Sequence, residues 1–297
     1  MKLLTYEIDK KELVGVLNRE ETFVYPLSAA DMDYRTMKDV ISEISPSEME
    51  LLEHISGLPP YEVANAAPLE EIRLLAPIPV PEQDIICLGI NYMEHAKESA
   101  RFKKEAFSKP VQAVYFSKRV NRATAPLEGI PAHQDMTSQL DYEAELAVIL
   151  KKDAKNVSEK DVQDYIFGYT IMNDVSARDV QTGHGQWYFG KSLEGFTPLG
   201  PWIVTADSID FPPRLAIRSK VNGELRQNSN TELFIHGIAE VICELSRGMT
   251  LKAGTIIATG TPAGVGMGFD PPRFMKPGDV VECIIEDIGT LKNTVIE

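Results

Sequence analysis

From about residue 80 onward, the sequence is a succession of short segments rich in Val, Ile, Tyr and Phe, bounded by Gly, Pro or Asp. Examples are DIICLGI, YEAELAVIL, YIFGYTIM, GPWIVT and DVVECIIEDIGTLKNTVI, and such segments are typical of β-strands. Helical spacing is clearest in NYMEHAKESARF and ELFIHGIAEVICELSRG, and we expect Gly248 to follow the end of the second helix as its cap. Many strands with few crossover helices predict an α+β, predominantly β fold whose mixed or antiparallel sheet curls into a roll or barrel.

Residues 1–80 have a different character. Short strand-like pieces are followed by TMKDVISEIS and PSEMELLEHIS, which have helical spacing, and Ser45, Pro46 and Glu48 form a capping-box pattern at the start of the second helix. A proline-rich stretch then ends near residue 80, and proline disfavours helix in the residue before it. We therefore predict a small α+β N-terminal domain with an extended connector over residues 1–80 and a larger domain over residues 81–297.

The charge balance limits the partners of this chain. Lys and Arg total 30 against 44 Asp and Glu, a formal charge of −14, which disfavours nucleic acid and anionic membranes as partners. A small anionic substrate stays possible where a metal or a local cationic cluster reverses the field. The three cysteines have no CxxC spacing, and no run approaches the ~18 apolar residues of a membrane span, so we expect a cytoplasmic protein.

The segment Leu140–Leu146 carries two closely spaced carboxylates. In a strand, residues at i and i+2 share a face, so Glu143 and Glu145 would lie about 7 Å apart at the backbone, opposite Tyr142 and Ala144. Two carboxylates this close repel each other unless a cation lies between them or one is protonated. The alternative is a solvent-exposed acidic face, and the segment alone does not decide between the two.

A second polar segment follows the apolar strand YIFGYTIM. Asp174 lies where that strand ends, and Arg178 and Gln181 follow at four and seven residues, on one face if the stretch is helical. The alternative is an aspartate that caps a helix and pairs with the arginine. Three carboxylates with water would form an all-oxygen site, which suits Mg²⁺ or Mn²⁺ better than Zn²⁺.

Three further features could carry chemistry. His95 and Glu98 are spaced i, i+3 on a predicted helix, so the carboxylate could orient the imidazole as a general base, although such pairs are common on surfaces. The glycine-rich stretch around Thr261 lacks the Lys-Ser/Thr of a phosphate loop, and it could present N–H groups and a hydroxyl to a carboxylate, or be a plain turn. Lys191 is a candidate cation, although an isolated lysine is usually solvated.

Taken together, the motifs closely resemble the fumarylacetoacetate hydrolase family. They are ICLGINYMEHAKE, YFSK, LDYEAELAVIL, GYTIMNDVSARDVQ, GKSLEGFTPLGPWIV, LSRGMTLKAGTIIATGTPAGVG and FMKPGDVVECIIEDIGTLKN, in this order, from about residue 80 to the C-terminus. The resemblance implies a β-roll catalytic domain, a homodimer, and one Mg²⁺ or Mn²⁺ ion held by three carboxylates. Matched by motif, these are Glu143, Glu145 and Asp174, with Arg178 and Gln181 as substrate contacts.

The same resemblance assigns the remaining residues. Lys191 matches a family lysine near the substrate oxygens, and Thr261 matches the threonine of the glycine-rich turn. His95 and Glu98 match the dyad on the lid helix of acylpyruvase-like members. The helix that carries them has a local excess of basic residues, and we predict that it closes over a bound dianion.

The family implies substrates that are 1,3-dicarbonyl acids, whose cleavage passes through an enolate that a metal stabilises. The leading prediction is a metal-dependent hydrolase of a C–C bond in 2,4-diketo (acylpyruvate-like) acids, with His95 and Glu98 activating water. The alternatives are an oxaloacetate decarboxylase, a 2-hydroxyhepta-2,4-diene-1,7-dioate isomerase, or a non-catalytic binding protein that keeps the fold. All three reactions share the enolate, so the shared residues do not separate them.

Overall fold

A computed structural model describes residues 1–107 and 111–297 of the chain. The strands are β1 (Lys2–Ile8), β2 (Lys11–Leu17), β3 (Phe23–Pro26), β4 (Ala67–Pro68), β5 (Arg73–Leu74), β6 (Ile85–Leu88), β7 (Tyr115–Lys118), β8 (Gly129–Pro131), β9 (Leu140–Asp141), β10 (Ala144–Leu150), β11 (Ile166–Asn173), β12 (Ser176–Ala177), β13 (Leu199–Thr205), β14 (Ala216–Val221), β15 (Glu224–Asn230), β16 (Ile256–Ala258), β17 (Val280–Ile285) and β18 (Gly289–Ile296). The α-helices are α1 (Met37–Glu43), α2 (Pro46–Ser56), α3 (Met93–Lys103), α4 (Arg178–Gly183), α5 (Tyr188–Lys191) and α6 (Ile238–Gly248).

Two sheets organise the fold, which confirms the predominantly β, α+β prediction. The larger has the strand order β4-β3-β2-β1-β13-β11-β10-β16-β6-β7, with β5 paired to β1, and the smaller has the order β15-β14-β17-β18-β8. The pairings are antiparallel except β16 with β6 and β18 with β8. Side chains of β10 and β11 such as Leu146, Val148 and Ile171 pack with Ile217 and Cys283 of the smaller sheet in one core. This places β10 and β11 at the centre of the molecule.

The first 80 residues extend the larger sheet. Strand β1 pairs antiparallel with β13, with Lys2 opposite Val204 and Leu3 opposite Ile203. Behind these strands, Val40 and Ile41 of α1 and neighbouring apolar side chains form a second core cluster, which continues into β10 and β13. The domain boundary near residue 80 stays a prediction, because the sheet runs across it without interruption.

The helix ends show which capping rules applied. Ser45 and Glu48 form the predicted capping box of α2, in which the Glu48 N–H donates to Ser45 Oγ and the Ser45 N–H donates to Glu48 Oε2 at 2.8 Å. The prediction for Gly248 was wrong, since it is the last residue of α6, and Met249 is the cap, in extended conformation. No left-handed residue is needed there, because the Met249 N–H still bonds the Leu245 carbonyl before the chain straightens.

The helices were also compared with the length of a bilayer. Within residues 1–107 and 111–297, no helix is both long enough and apolar enough to span a membrane.

Candidate metal centre and active site

The carboxylates of Glu143 and Glu145 meet at a break between two strands. Strand β9 ends at Asp141 and β10 begins at Ala144, so Glu143 precedes β10, and the prediction of one continuous strand was wrong. The reason is a change of partner, since β9 pairs with β12 whereas β10 pairs with β11. The break is fixed by the Glu143 N–H, which donates to the side chain of Asn173 at 3.0 Å.

Asp174 completes an acidic triad. It directly follows β11, as predicted, and its N–H donates to the Glu143 carbonyl at 2.9 Å. One carboxylate oxygen from each of Glu143, Glu145 and Asp174 lies within 4.8 Å of the others. All three residues are buried, which excludes the alternative of an exposed acidic face.

The triad suits a hard divalent cation. Glu145 Oε2 accepts from the Gly260 N–H at 2.9 Å, but Glu145 Oε1 is buried with no partner among the described residues. A buried carboxylate oxygen without a partner costs free energy, and a bound cation would remove that cost. The donor set of three carboxylates and no sulfur fits Mg²⁺ or Mn²⁺.

Three buried cations surround the triad. Lys118 Nζ donates to Asp174 Oδ1 at 2.5 Å, and Lys191 Nζ donates to Asp174 Oδ2 at 2.6 Å and Glu143 Oε2 at 2.9 Å. Arg178, the first residue of α4, pairs with Asp141 at 2.8 Å and Glu143 at 2.7 Å. Lys191 is therefore not a solvated surface residue, and Arg178 is not the partner of a capping Asp174. We call these cations and the carboxylates that they contact, together with Glu145, the buried charge cluster.

The surroundings separate the two glutamates in acidity. Burial would raise the pKa of Glu143, but the charges of Lys191 and Arg178 outweigh it and hold the pKa well below its usual range. Burial raises the pKa of Glu145 well above its usual range, and the charges of Asp174 and Glu143 raise it further. Of the two carboxyl groups, Glu145 therefore binds a proton more readily than Glu143.

His95 and Glu98 lie on α3, and His95 lines a cavity that also borders the cluster. The cavity is lined by Gly89, Ile90, His95, Ser99, Phe102, Lys103, Glu143, Arg178, Gln181, Thr182, Trp187, Lys191 and Met267. His95 Nδ1 lies 3.4 Å from Glu98 Oε2, and Glu98 Oε1 accepts from the Gly264 N–H at 2.9 Å. The structure thus brings the predicted histidine beside the predicted lysine, with Gln181 close enough to accept from Arg178 at 3.1 Å.

The glycine-rich turn binds the protein's own carboxylates. Besides Gly260 and Gly264, the Gly266 N–H donates to Asp141 at 2.6 Å. Thr261 is buried, and its hydroxyl donates to the Ala144 carbonyl at 2.9 Å and accepts from Gln227, so this side chain lies behind β10 and does not line the cavity. Its predicted substrate contact stays a prediction.

The family was identified by comparison with known proteins. Residues 84–296 match the model of the C-terminal domain of fumarylacetoacetate (FAA) hydrolase. The chain belongs to the fumarylacetoacetate hydrolase family. It is 47% identical to the oxaloacetate tautomerase YisK of Bacillus subtilis over 227 residues. This aligned region covers 76% of this chain and 74% of that protein.

Solved structures of the same family cover the whole length. The fumarylacetoacetate hydrolase from psychrophilic Exiguobacterium antarcticum is 38% identical, with a TM-score of 0.83 over 100% of this chain and 99% of that one. Maleylpyruvate hydrolase from Sphingobium sp. SYK-6, in complex with manganese(II) and pyruvate, is 28% identical, with a TM-score of 0.77 over 100% and 99%. The fumarylacetoacetate hydrolase family therefore includes relatives named as tautomerase and as hydrolase, and one of them holds a metal ion.

Sequence reasoning missed two residues of the cluster. Lys118 ends strand β7, in the quoted motif YFSK, but its contact with Asp174 joins positions that are 56 residues apart. Asp141 stands beside the acidic pair, and its partners Arg178 and Gly266 lie far along the chain. The local signal was a charged residue at the end of a strand segment, which marks a charge that needs a partner if it is buried but does not identify that partner.

Proposed function

We propose that this family member interconverts the enol and keto forms of oxaloacetate or a closely related 2-oxo acid, with a divalent metal bound by Glu143, Glu145 and Asp174. The observation that carries the proposal is the buried triad, in which one carboxylate oxygen has no partner among the described residues, beside a cavity lined by His95, whose imidazole contacts Glu98. The name of the tautomerase relative supports the choice of reaction.

The chain's own residues supply binding and proton transfer. Arg178, Lys191 and Gln181 line the cavity and would bind the carboxylate and 2-oxo oxygens of the substrate. A bound Mg²⁺ or Mn²⁺ would supply a Lewis acid that lowers the energy of the enolate. His95 would move the proton at carbon 3 with its Nε2 atom, since its Nδ1 atom faces Glu98.

Glu98 acts through His95. Its second oxygen is fixed by the Gly264 N–H, and Gly268 packs so closely that an added Cβ would lie 2.4 Å from Glu98 Oε1. A carboxylate held on both sides would keep the imidazole in one orientation.

A specific observation also favours the hydrolase prediction. The same pair could activate a water molecule, and a maleylpyruvate hydrolase shares the fold across the whole chain. Hydrolysis of a C–C bond in a 2,4-diketo acid is therefore our second candidate. Decarboxylation of oxaloacetate stays an alternative that no specific observation favours. The homodimer and the cytoplasmic location also remain proposals.

The two candidates are separated by two assays on one preparation. With Mg²⁺ or Mn²⁺, loss of the ultraviolet absorbance of enol-oxaloacetate should be faster than in buffer, whereas pyruvate release from acetylpyruvate would report hydrolysis. His95→Gln should reduce the active reaction by about 10²-fold or more. His133→Gln is the matched control, because His133 lies outside the cavity and bonds the Glu194 carbonyl. Full activity of His95→Gln would contradict the role of the histidine, and no activity in either assay would contradict the function.

A further inference from the structure

One face of helix α3 carries three side chains of the cavity. His95, Ser99 and Lys103 are spaced i, i+4 and i+8, so they lie along the same side of the helix, and all three line the cavity. Eight residues correspond to about 12 Å along a helix axis, and a long side chain leans back toward the N-terminus. The face therefore presents the proton-transfer residue at one end and a cation at the other.

Lys103 differs from the other basic residues of this helix. Lys97 pairs with Glu94 at 2.6 Å, and Arg101 is exposed. The other strong cations of the cavity, Arg178 and Lys191, are already paired with buried carboxylates. Lys103 has no carboxylate within ion-pair distance among residues 1–107 and 111–297, so its charge is not neutralised by the chain around it.

Trp187 holds Lys103 in place without neutralising it. The Lys103 ammonium lies 5.4 Å from the centroid of the Trp187 ring, in a cation–π contact. That ring packs edge-on against Phe116, with centroids 5.5 Å apart, and against Gly89, where an added Cβ would lie 2.0 Å from a ring carbon. The wall of the cavity is thus a fixed aromatic ring that carries a half-buried positive charge.

We propose that Lys103 binds a second, distal carboxylate of the substrate, so that the site selects 2-oxo diacids over 2-oxo acids with an uncharged tail. The first carboxylate and the 2-oxo group would lie at Arg178 and Lys191, where the proposed chemistry occurs, and the second would reach the free ammonium. The inference rests on the proposed function for the placement of the reacting end, and it adds the group that determines the substrate class.

The test compares two ligands that differ only at the distal group. (S)-Malate and (S)-2-hydroxybutyrate share the 2-hydroxy acid end, and their binding to the Mg²⁺-loaded protein is measured by calorimetry. Wild type should prefer malate, and Lys103→Met should weaken malate by about tenfold or more, the expected loss of one charge-assisted contact, with 2-hydroxybutyrate unchanged. Arg101→Met removes a charge from the same helix outside the cavity, so both affinities should stay at the wild-type level.

Two results would overturn the inference: malate affinity unchanged in Lys103→Met, or an equal loss for both ligands in a variant whose melting temperature is unchanged. Lys103→Arg should keep the preference for malate, which distinguishes recognition of charge from packing. Malate binding is measured without any turnover, so the result for Lys103 can be separated from the test of the proposed function. If the preference depends on Lys103 but enol-oxaloacetate is not converted, the inference stands and the proposed function fails. If conversion is fast and Lys103→Met keeps the preference, the inference alone fails.

Discussion

Replacing Glu145 by Gln tests whether this residue is the proton-bearing member of the buried charge cluster. The described residues place four carboxylates there, of Asp141, Glu143, Glu145 and Asp174, against the three cations Lys118, Arg178 and Lys191. Of the carboxylates, Glu145 alone has no ion-pair partner within residues 1–107 and 111–297, and its pKa is raised well above the usual range, first by burial and then by the charges of Asp174 and Glu143. With Glu145 protonated, the cluster is neutral.

The magnitude follows from this balance. In metal-free buffer at neutral pH, Glu145→Gln removes no charge from the folded protein, whereas it removes an ionised carboxylate from the unfolded chain. The free energy of unfolding should therefore fall by no more than about 1 kcal/mol, the size of one altered hydrogen bond, and a rise is equally consistent with a protonated Glu145. Glu143→Gln is the same chemical change two residues away, but it removes one of the two carboxylate partners of both Lys191 and Arg178. Breaking a buried pair in this way costs about 3–5 kcal/mol. For a chain of this size, that corresponds to a melting temperature lower by roughly 5–8 °C.

The assay is thermal and denaturant unfolding of both variants in EDTA and in Mg²⁺. Mg²⁺ at a hundred times its Kd should add about 2.7 kcal/mol to the wild type and nothing to a variant that no longer binds it. We expect both variants to lose this gain, while only Glu143→Gln is unstable in EDTA. If Glu145→Gln is destabilised in EDTA as strongly as Glu143→Gln, then Glu145 is ionised and paired without metal, and the charge count is wrong.

Three further predictions concern pH and packing. Because the folded-state pKa of Glu145 is raised, its contribution to metal-free stability is full below the unfolded pKa and is lost as pH rises through the folded pKa. At a pH where Glu145 is protonated, Mg²⁺ binding should therefore release a proton, and calorimetry in buffers of different ionisation enthalpy measures that release. Gly268→Ala should displace Glu98 and lower kcat by about tenfold or more, whereas Gly248→Ala, with nothing within 4 Å, should leave kcat at the wild-type value. Asn91→Ala should lower the free energy of unfolding, measured by urea titration, by roughly 2–4 kcal/mol, because it leaves the His236 N–H and two backbone carbonyls without partners. A loss below about 1 kcal/mol would show that water replaces the lost hydrogen bonds.

The sequence predicted those site residues whose signal is local. Glu145 lies in a mostly apolar strand and Asp174 directly follows another, and a carboxylate in such a setting needs a cation or a proton. His95 and Glu98 are joined by helical spacing alone. The partners of these residues, such as Lys118, could not be predicted in the same way, because strand pairing brings them in from distant positions and pairing order is not encoded in local periodicity.

The same limit applies to the N-terminal region. Its helices and its capping box were readable, because caps depend on residues three positions apart. The attachment of this region to the larger sheet could not be predicted, because the pairing of β1 with β13 joins residues about two hundred positions apart. Alternation of apolar residues is equally compatible with a separate small sheet. Tertiary pairing, and not the elements themselves, was the part that the sequence left undetermined.

The charge count also explains how an acidic protein can accept an anionic substrate. The chain carries −14 overall, which repels anions at long range. When Glu145 loses its proton the cluster has a net charge of −1, and a divalent cation then brings it to +1. Lys103, whose charge no described carboxylate neutralises, adds a second positive charge at the cavity wall, so the complete site would match a dianion and not a monoanion. An inverted field of this kind is confined to the cavity, because charges beyond about 8 Å are screened at physiological salt. Affinity for a diacid should therefore depend on the metal and on Lys103 together, and lowering the net negative charge of the distant surface should change it little.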